Sequence, residues 1–188
     1  SGSGRVPGTI LGQFALSEHN DFIRVASTTG RWNRWWEEDP APSESHVYVL
    51  GESLTDEEAV TLEVVGHVGG IAPTERLWSS RFVGDEGYLV TFRNIDPLWT
   101  IDLSDPTNPQ VKGELEVPGV STYIHPLKDE QAGFLLTIGY GGDDNGLDWN
   151  TQVSLFDVTN FSNPQLAQAL PMAMEEGDGW YYAWSEAN

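Results

Sequence analysis

The chain has 188 residues, 39% of them hydrophobic and 11% aromatic, enough to bury the core of one medium domain and too apolar for a disordered segment. Nine Lys and Arg stand against 29 Asp and Glu, and a net charge of -20 excludes nucleic acid and anionic membrane surfaces as expected partners. Cysteine is absent, which removes disulfides and thiolate metal sites, and no apolar run reaches the ~18 residues of a spanning helix.

Residues 1–9, which open on Ser-Gly-Ser-Gly, read as a leader or linker. No signal-peptide pattern opens the sequence, so any export signal is expected upstream of Ser1. Helical periodicity is nearly absent from the rest. Short alternating or apolar runs, bounded by Gly, Pro, Asn and Asp, predict an all-β chain. The first group of strands is expected at Gln13–Leu16, Phe22–Ser27, His46–Leu50 and Val60–Val68. Between its second and third strands lies GRWNRWWEEDP at 30–40, where Trp32, Arg34, Trp35 and Trp36 can stack on sugar rings or anchor a protein interface. The same indoles can instead cover the edge of the first group while the arginines pair with Glu37, Glu38 or Asp39, and covering is expected to come first.

The second group is expected at Leu77–Val83, Tyr88–Phe92, Trp99–Leu103 and Val111–Val117, and the third at Ser121–Leu127, Phe134–Ile138, Gln152–Val158 and Leu166–Leu170. An internal repeat supports the grouping: TIDLSDPTNPQ at 100–110 recurs as LFDVTNFSNPQ at 155–165, matching Asp102 with Asp157 and Pro109 with Pro164. Upstream, DEGYLVTF at 85–92 answers QAGFLLTI at 131–138, and NDFIRVAS at 20–27 is a fainter copy. In the third group, GYGGDDNGLDW at 139–149 sets Asp143, Asp144, Asn145 and Asp148 within one glycine-rich loop. Such hard oxygen donors suit calcium, although the spacing is not that of an EF-hand and a polar hairpin tip would look the same.

Four-stranded units at this spacing predict about three antiparallel β-propeller blades, at 10–70, 71–119 and 120–171, with 172–188 starting a fourth. Three blades and a strand leave open edges, so the partner is expected to be another chain or further blades of the same protein. The stretch ERLWSSRFVGDEGYLVTFRNIDPLWTIDLSDPTNPQVKGELEVPGVSTYIHPL at 75–127 resembles bacterial and archaeal secreted proteins that carry a C-terminal β-propeller domain. GQFALSEHNDFIRVAST at 12–28, HVYVLGESL at 46–54 and VSLFDVTNFSNPQ at 153–165 extend the resemblance. It implies a propeller, a secreted or cell-surface location and further blades past WSEAN at 184–188, and it supplies no activity.

The first strand of each blade lines the centre of a propeller, which singles out Arg81 in SSRFVG and His125 in TYIHPL for anion binding or acid–base work, beside the ordinary alternative of structural hydrogen bonds. His19, His46 and His67 lack metal-like spacing and read as structural. A nucleophile elbow, a phosphate-binding glycine loop and a paired-histidine helix are all missing from the sequence. The leading expectation is therefore a non-catalytic module of an exported protein that binds a protein or carbohydrate partner, with calcium. The alternatives are a hydrolase using carboxylates at the channel mouth, and a fragment that self-assembles through its open edges.

Overall fold

In a computed structural model the described residues are 2–30, 42–54, 60–92, 96–117, 119–129, 132–141 and 150–172. They form three antiparallel β-sheets joined in sequence. Sheet one contains β2 (Leu16–His19), β3 (Phe22–Thr29), β4 (Glu44–Leu54) and β5 (Val60–Ile71), with β1 (Ser3–Gly4) added beside β5. Sheet two is β6 (Arg76–Val83), β7 (Glu86–Phe92), β8 (Asp96–Asp102) and β9 (Gln110–Val117). Sheet three is β10 (Val120–Pro126), β11 (Phe134–Gly141), β12 (Asn150–Asp157) and β13 (Gln165–Pro171). Apart from β1, which pairs parallel with β5, the strands within each sheet are antiparallel and follow chain order, the meander that short turns produce.

Two departures from the sequence reading concern the first sheet. Gln13–Ala15 is a 3-10 turn rather than the start of a strand: the Ala15 amide bonds back to the Gly12 carbonyl, and Ala15 is buried in the core between sheets one and two. Residues 3–9, read from their composition as a linker, lie on sheet one. Ser3 and Gly4 run parallel to Thr61 and Leu62, Val6 packs on Val25, Tyr48 and Leu50, and Ser27 Oγ donates to the Pro7 carbonyl at 2.8 Å. Backbone hydrogen bonding draws even a Gly-Ser segment onto an open edge strand.

Strand β7 shows why the sheets stack. Its GYLVT run is apolar on both faces, and both faces are covered. Leu89 joins Ala26, Val47, Val49, Leu77 and Ile101 in the layer between sheets one and two. Tyr88 and Val90 point the other way, into a layer with Leu98, Ile124, Leu135 and Phe156 between sheets two and three. Sheet two is thus the middle of a three-layer stack.

The repeated Asp and Asn-Pro turns fix the outer ends of that stack. Asp102 Oδ1 accepts from the Ser104 amide at 2.9 Å and its hydroxyl at 2.6 Å, and Asp157 Oδ1 accepts from the Thr159 amide at 2.9 Å and its hydroxyl at 2.5 Å. Each turn then rests on a glycine of the preceding sheet. Pro106 and Pro109 close over Gly66 in β5, where a Cβ would collide with the Pro106 carbonyl. Phe161 and Pro164 close over Gly113 in β9, where a Cβ would stand 2.8 Å from both the Phe161 carbonyl oxygen and Pro164 Cδ. Gly66 is opposite Val49 and Gly113 opposite Thr100; the third sheet places Gln168 opposite Leu155 at the corresponding position. The glycine socket is therefore built twice and omitted on the sheet that no described neighbour covers.

Candidate functional site

The first strands of sheets two and three meet at the inner edge of the stack, stitched by Ser79 Oγ donating to the Ser121 carbonyl at 2.8 Å. On this edge Arg81 of β6 reaches Tyr123 of β10, donating from Nη2 to the phenol oxygen at 3.2 Å. The guanidinium carbon lies 4.1 Å from the centre of the Phe14 ring and 5.4 Å from that of Tyr123, so the cation packs in the corner that the two rings form. Phe14 and Tyr123 touch edge to face, 5.7 Å between centroids. Tyr123 and His125 share one face of β10, two residues apart, and the phenol oxygen is 3.4 Å from His125 Nδ1. The result is a row of Phe14, Arg81, Tyr123 and His125 in which Arg81 and Tyr123 are half-buried and the two ends are exposed.

Arg81 makes no ion pair among the described residues, in a chain whose acidic side chains outnumber its basic ones about threefold. Its fork still has donors to spare, and a guanidinium with two aromatic neighbours is a ready receiver for a planar anion such as a carboxylate. Arg24 offers a contrast. It is buried, donates to the Gly84 carbonyl and to Ser17 Oγ, and lies over the Phe82 ring, clamping β3 to the β6–β7 turn. Burial lowers its pKa and Asp85 raises it in part. Arg24 is buried and clamped by two hydrogen bonds, whereas Arg81 is half-buried and bonds to Tyr123.

A second polar cluster lies on sheet one, where His46, His67, Tyr48 and Thr29 come together. Burial lowers the His46 pKa, Glu44 opposes that and His67 adds to it. No group of three or more His, Cys, Asp or Glu side chains converges as a metal site among the described residues.

Of the residues singled out in the sequence, Arg81 and His125 are brought together through Tyr123. Trp32, Arg34, Trp35 and Trp36 lie outside the described residues, as do Asp143, Asp144, Asn145 and Asp148. Sequence reading missed Phe14 and Tyr123. The alternation of Tyr123 with His125 on a strand was a usable signal for the second, whereas nothing in the sequence joins Phe14 to a residue 67 positions later.

The family model described as "Beta propeller domain" matches residues 1–181. The chain belongs to the β-propeller domain family. Its three sheets are accordingly propeller blades, and β2, β6 and β10 are their inner strands. The propeller chain is 40% identical over 163 residues to an uncharacterised protein of Methanocaldococcus jannaschii, covering 87% of this chain and 23% of that one. It is 37% identical over 164 residues to an uncharacterised protein of Archaeoglobus fulgidus, covering 87% and 22%. The propeller chain thus spans less than a quarter of the length of these relatives.

Proposed function

We propose that this propeller is a non-catalytic binding module of an exported protein, and that its ligand contact is the inner-strand row of Phe14, Arg81, Tyr123 and His125. The observation that carries the reading is Arg81, packed against two aromatic rings with no carboxylate among the described residues to neutralise it. The ligand is a short protein or carbohydrate segment that presents one carboxylate to Arg81 and His125 and an apolar edge to Phe14. A long polyanion is disfavoured by the charge of the chain. The acidic loop of Asp143, Asp144, Asn145 and Asp148 is the place we assign to calcium, on its donor chemistry alone.

Calorimetric titration with trigalacturonate and with a short peptide ending in glutamate tests the reading. One of the two is expected to bind the wild-type chain and to lose at least tenfold in affinity with Arg81→Gln, whose removal of a charged hydrogen bond is worth about 1.5–3 kcal/mol. Equal binding by Arg81→Gln contradicts the proposal, as does failure of both probes.

A second reading is favoured by one feature of blade three. The face that no described sheet covers exposes Ile138 and Leu170, the latter by 59%, beside half-buried Leu136, Val153 and Leu155. This face suits a further blade or a second copy of the chain. Light scattering separates the two: a concentration-dependent dimer supports association of copies, and a monomer leaves the face for another blade.

A further inference from the structure

The histidine cluster on sheet one has a geometry that structural packing alone does not require. His46 of β4 and His67 of β5 sit side by side, with His46 Nδ1 3.1 Å from His67 Nε2. Only one hydrogen fits between two imidazole nitrogens, so one of the pair is a bare lone pair. On the far side of its ring, His46 Nε2 lies 2.6 Å from Thr29 Oγ1 and 3.4 Å from Glu44 Oε1. The carboxylate favours the proton on Nε2 and leaves Nδ1 bare, the arrangement by which an acidic residue behind a histidine prepares it as a metal ligand. Tyr48 stacks on His67 with centroids 4.4 Å apart and planes 13° apart, which fixes the plane of the exposed ring. Gly69 stands against both donors: a Cβ there would run into His46 Nδ1 and lie 2.8 Å from His67 Nε2. A side chain at that position would fill the space beside the two nitrogens.

We propose that His46 Nδ1 and His67 Nε2 form a two-nitrogen site for a borderline divalent cation of the Cu²⁺ or Ni²⁺ class, with water in the remaining positions. With metal–nitrogen bonds of about 2.0–2.1 Å, donors 3.1 Å apart subtend about 95–102° at the ion, within reach of the cis angle of a tetragonal N,O site. His67 moves its hydrogen to Nδ1 and turns within its own plane against Tyr48 to present its Nε2 lone pair to the ion, so no proton is gained or lost when both rings are neutral. His46, buried and tied to Thr29 and Glu44, stays in place. No third side chain joins the pair among the described residues, so the ion keeps open positions. Calcium, which takes oxygen ligands, is not a competitor here.

The test uses the untagged chain titrated with NiCl₂, followed by calorimetry and by the imidazole C–H resonances of its four histidines. The expected result is one ion per chain, with His46 and His67 broadening before His19 and His125. His67→Gln, at an exposed position, is expected to abolish binding with the melting temperature unchanged. Glu44→Gln is expected to weaken binding about tenfold, the effect of losing the group that orients a ligand, and CaCl₂ to leave the pair undisturbed. Binding by His67→Gln as tight as wild type, broadening that begins at His19 or His125, or no binding of one ion per chain overturns the proposal.

Discussion

Gly113→Ala probes the way each blade is locked to the next. The added Cβ would stand 2.8 Å from the Phe161 carbonyl oxygen, 2.8 Å from Pro164 Cδ and 2.9 Å from Thr100 Oγ1. Two of these neighbours are a backbone group and a rigid ring, so the β12–β13 turn has to move outward. Overpacking of this kind costs about 1–3 kcal/mol. The displaced turn also weakens the 2.6 Å hydrogen bond from Thr100 Oγ1 to the Phe161 carbonyl, a further ~1 kcal/mol. Against this, alanine reduces the freedom of the unfolded chain by about 0.4–1 kcal/mol. The balance is a loss of about 1–3 kcal/mol, or a fall of roughly 3–10 °C in melting temperature at this chain length. Urea unfolding followed by tryptophan fluorescence gives the free energy, and Gln168→Ala supplies the control. Gln168 occupies the same register position in blade three with no turn of the described residues resting on it, so its change is expected to stay within about 0.5 kcal/mol. Equal effects at the two positions, or a more stable Gly113→Ala, would refute the idea that the Asn-Pro turn docks on the glycine.

Other consequences are more local. Arg24→Ala removes a buried cation with hydrogen bonds to Gly84 and Ser17 and leaves a hole beside Phe82, so thermal unfolding should register a loss of about 2–4 kcal/mol. Hydrogen bonds from Ser104 hold the Asp102 pKa below its ordinary value, and those from Thr107 and Thr159 do the same for Asp105 and Asp157. Because these pKa values are depressed in the folded state, their stabilisation is complete above the ordinary carboxylate range and is lost as pH falls through the lower folded values. Asp157→Ala should therefore flatten the acid limb of a stability–pH curve. If the acid limb is unchanged, the Asp157 turn is not a source of acid sensitivity. Arg81→Gln is expected to leave thermal stability nearly unchanged, in contrast with Arg24→Ala, because Arg81 is half-buried and keeps a single hydrogen bond among the described residues.

How far the sequence reached depended on the range of the interaction. The strands of β7 and β11 were legible because glycine, aromatic and apolar run recur in DEGYLVTF and QAGFLLTI, and both elements are set by local alternation and turn chemistry. The Asp102 and Asp157 turns were legible for the same reason, since the bonds that make them reach only two residues ahead. Gln13–Leu16 was misread because its apolar pattern is short and its fate is decided by Ala15 packing beneath sheet two rather than by periodicity. The Arg81–Tyr123 contact joins residues 42 apart on separate blades, and the His46–His67 pair depends on the register of β4 with β5, bulges included. Residue spacing does not encode either. The glycines at 66 and 113 were visible as letters, but their meaning as sockets appears only when the following blade is in place.

The most direct measurement is a residue-resolved NMR titration of the isotopically labelled chain with trigalacturonate and with the glutamate-ended peptide. The account predicts that the largest shifts fall on Phe14, Arg81, Tyr123 and His125, contiguous across three inner elements of the propeller. Shifts centred on another part of the chain, with these four unmoved, would contradict it.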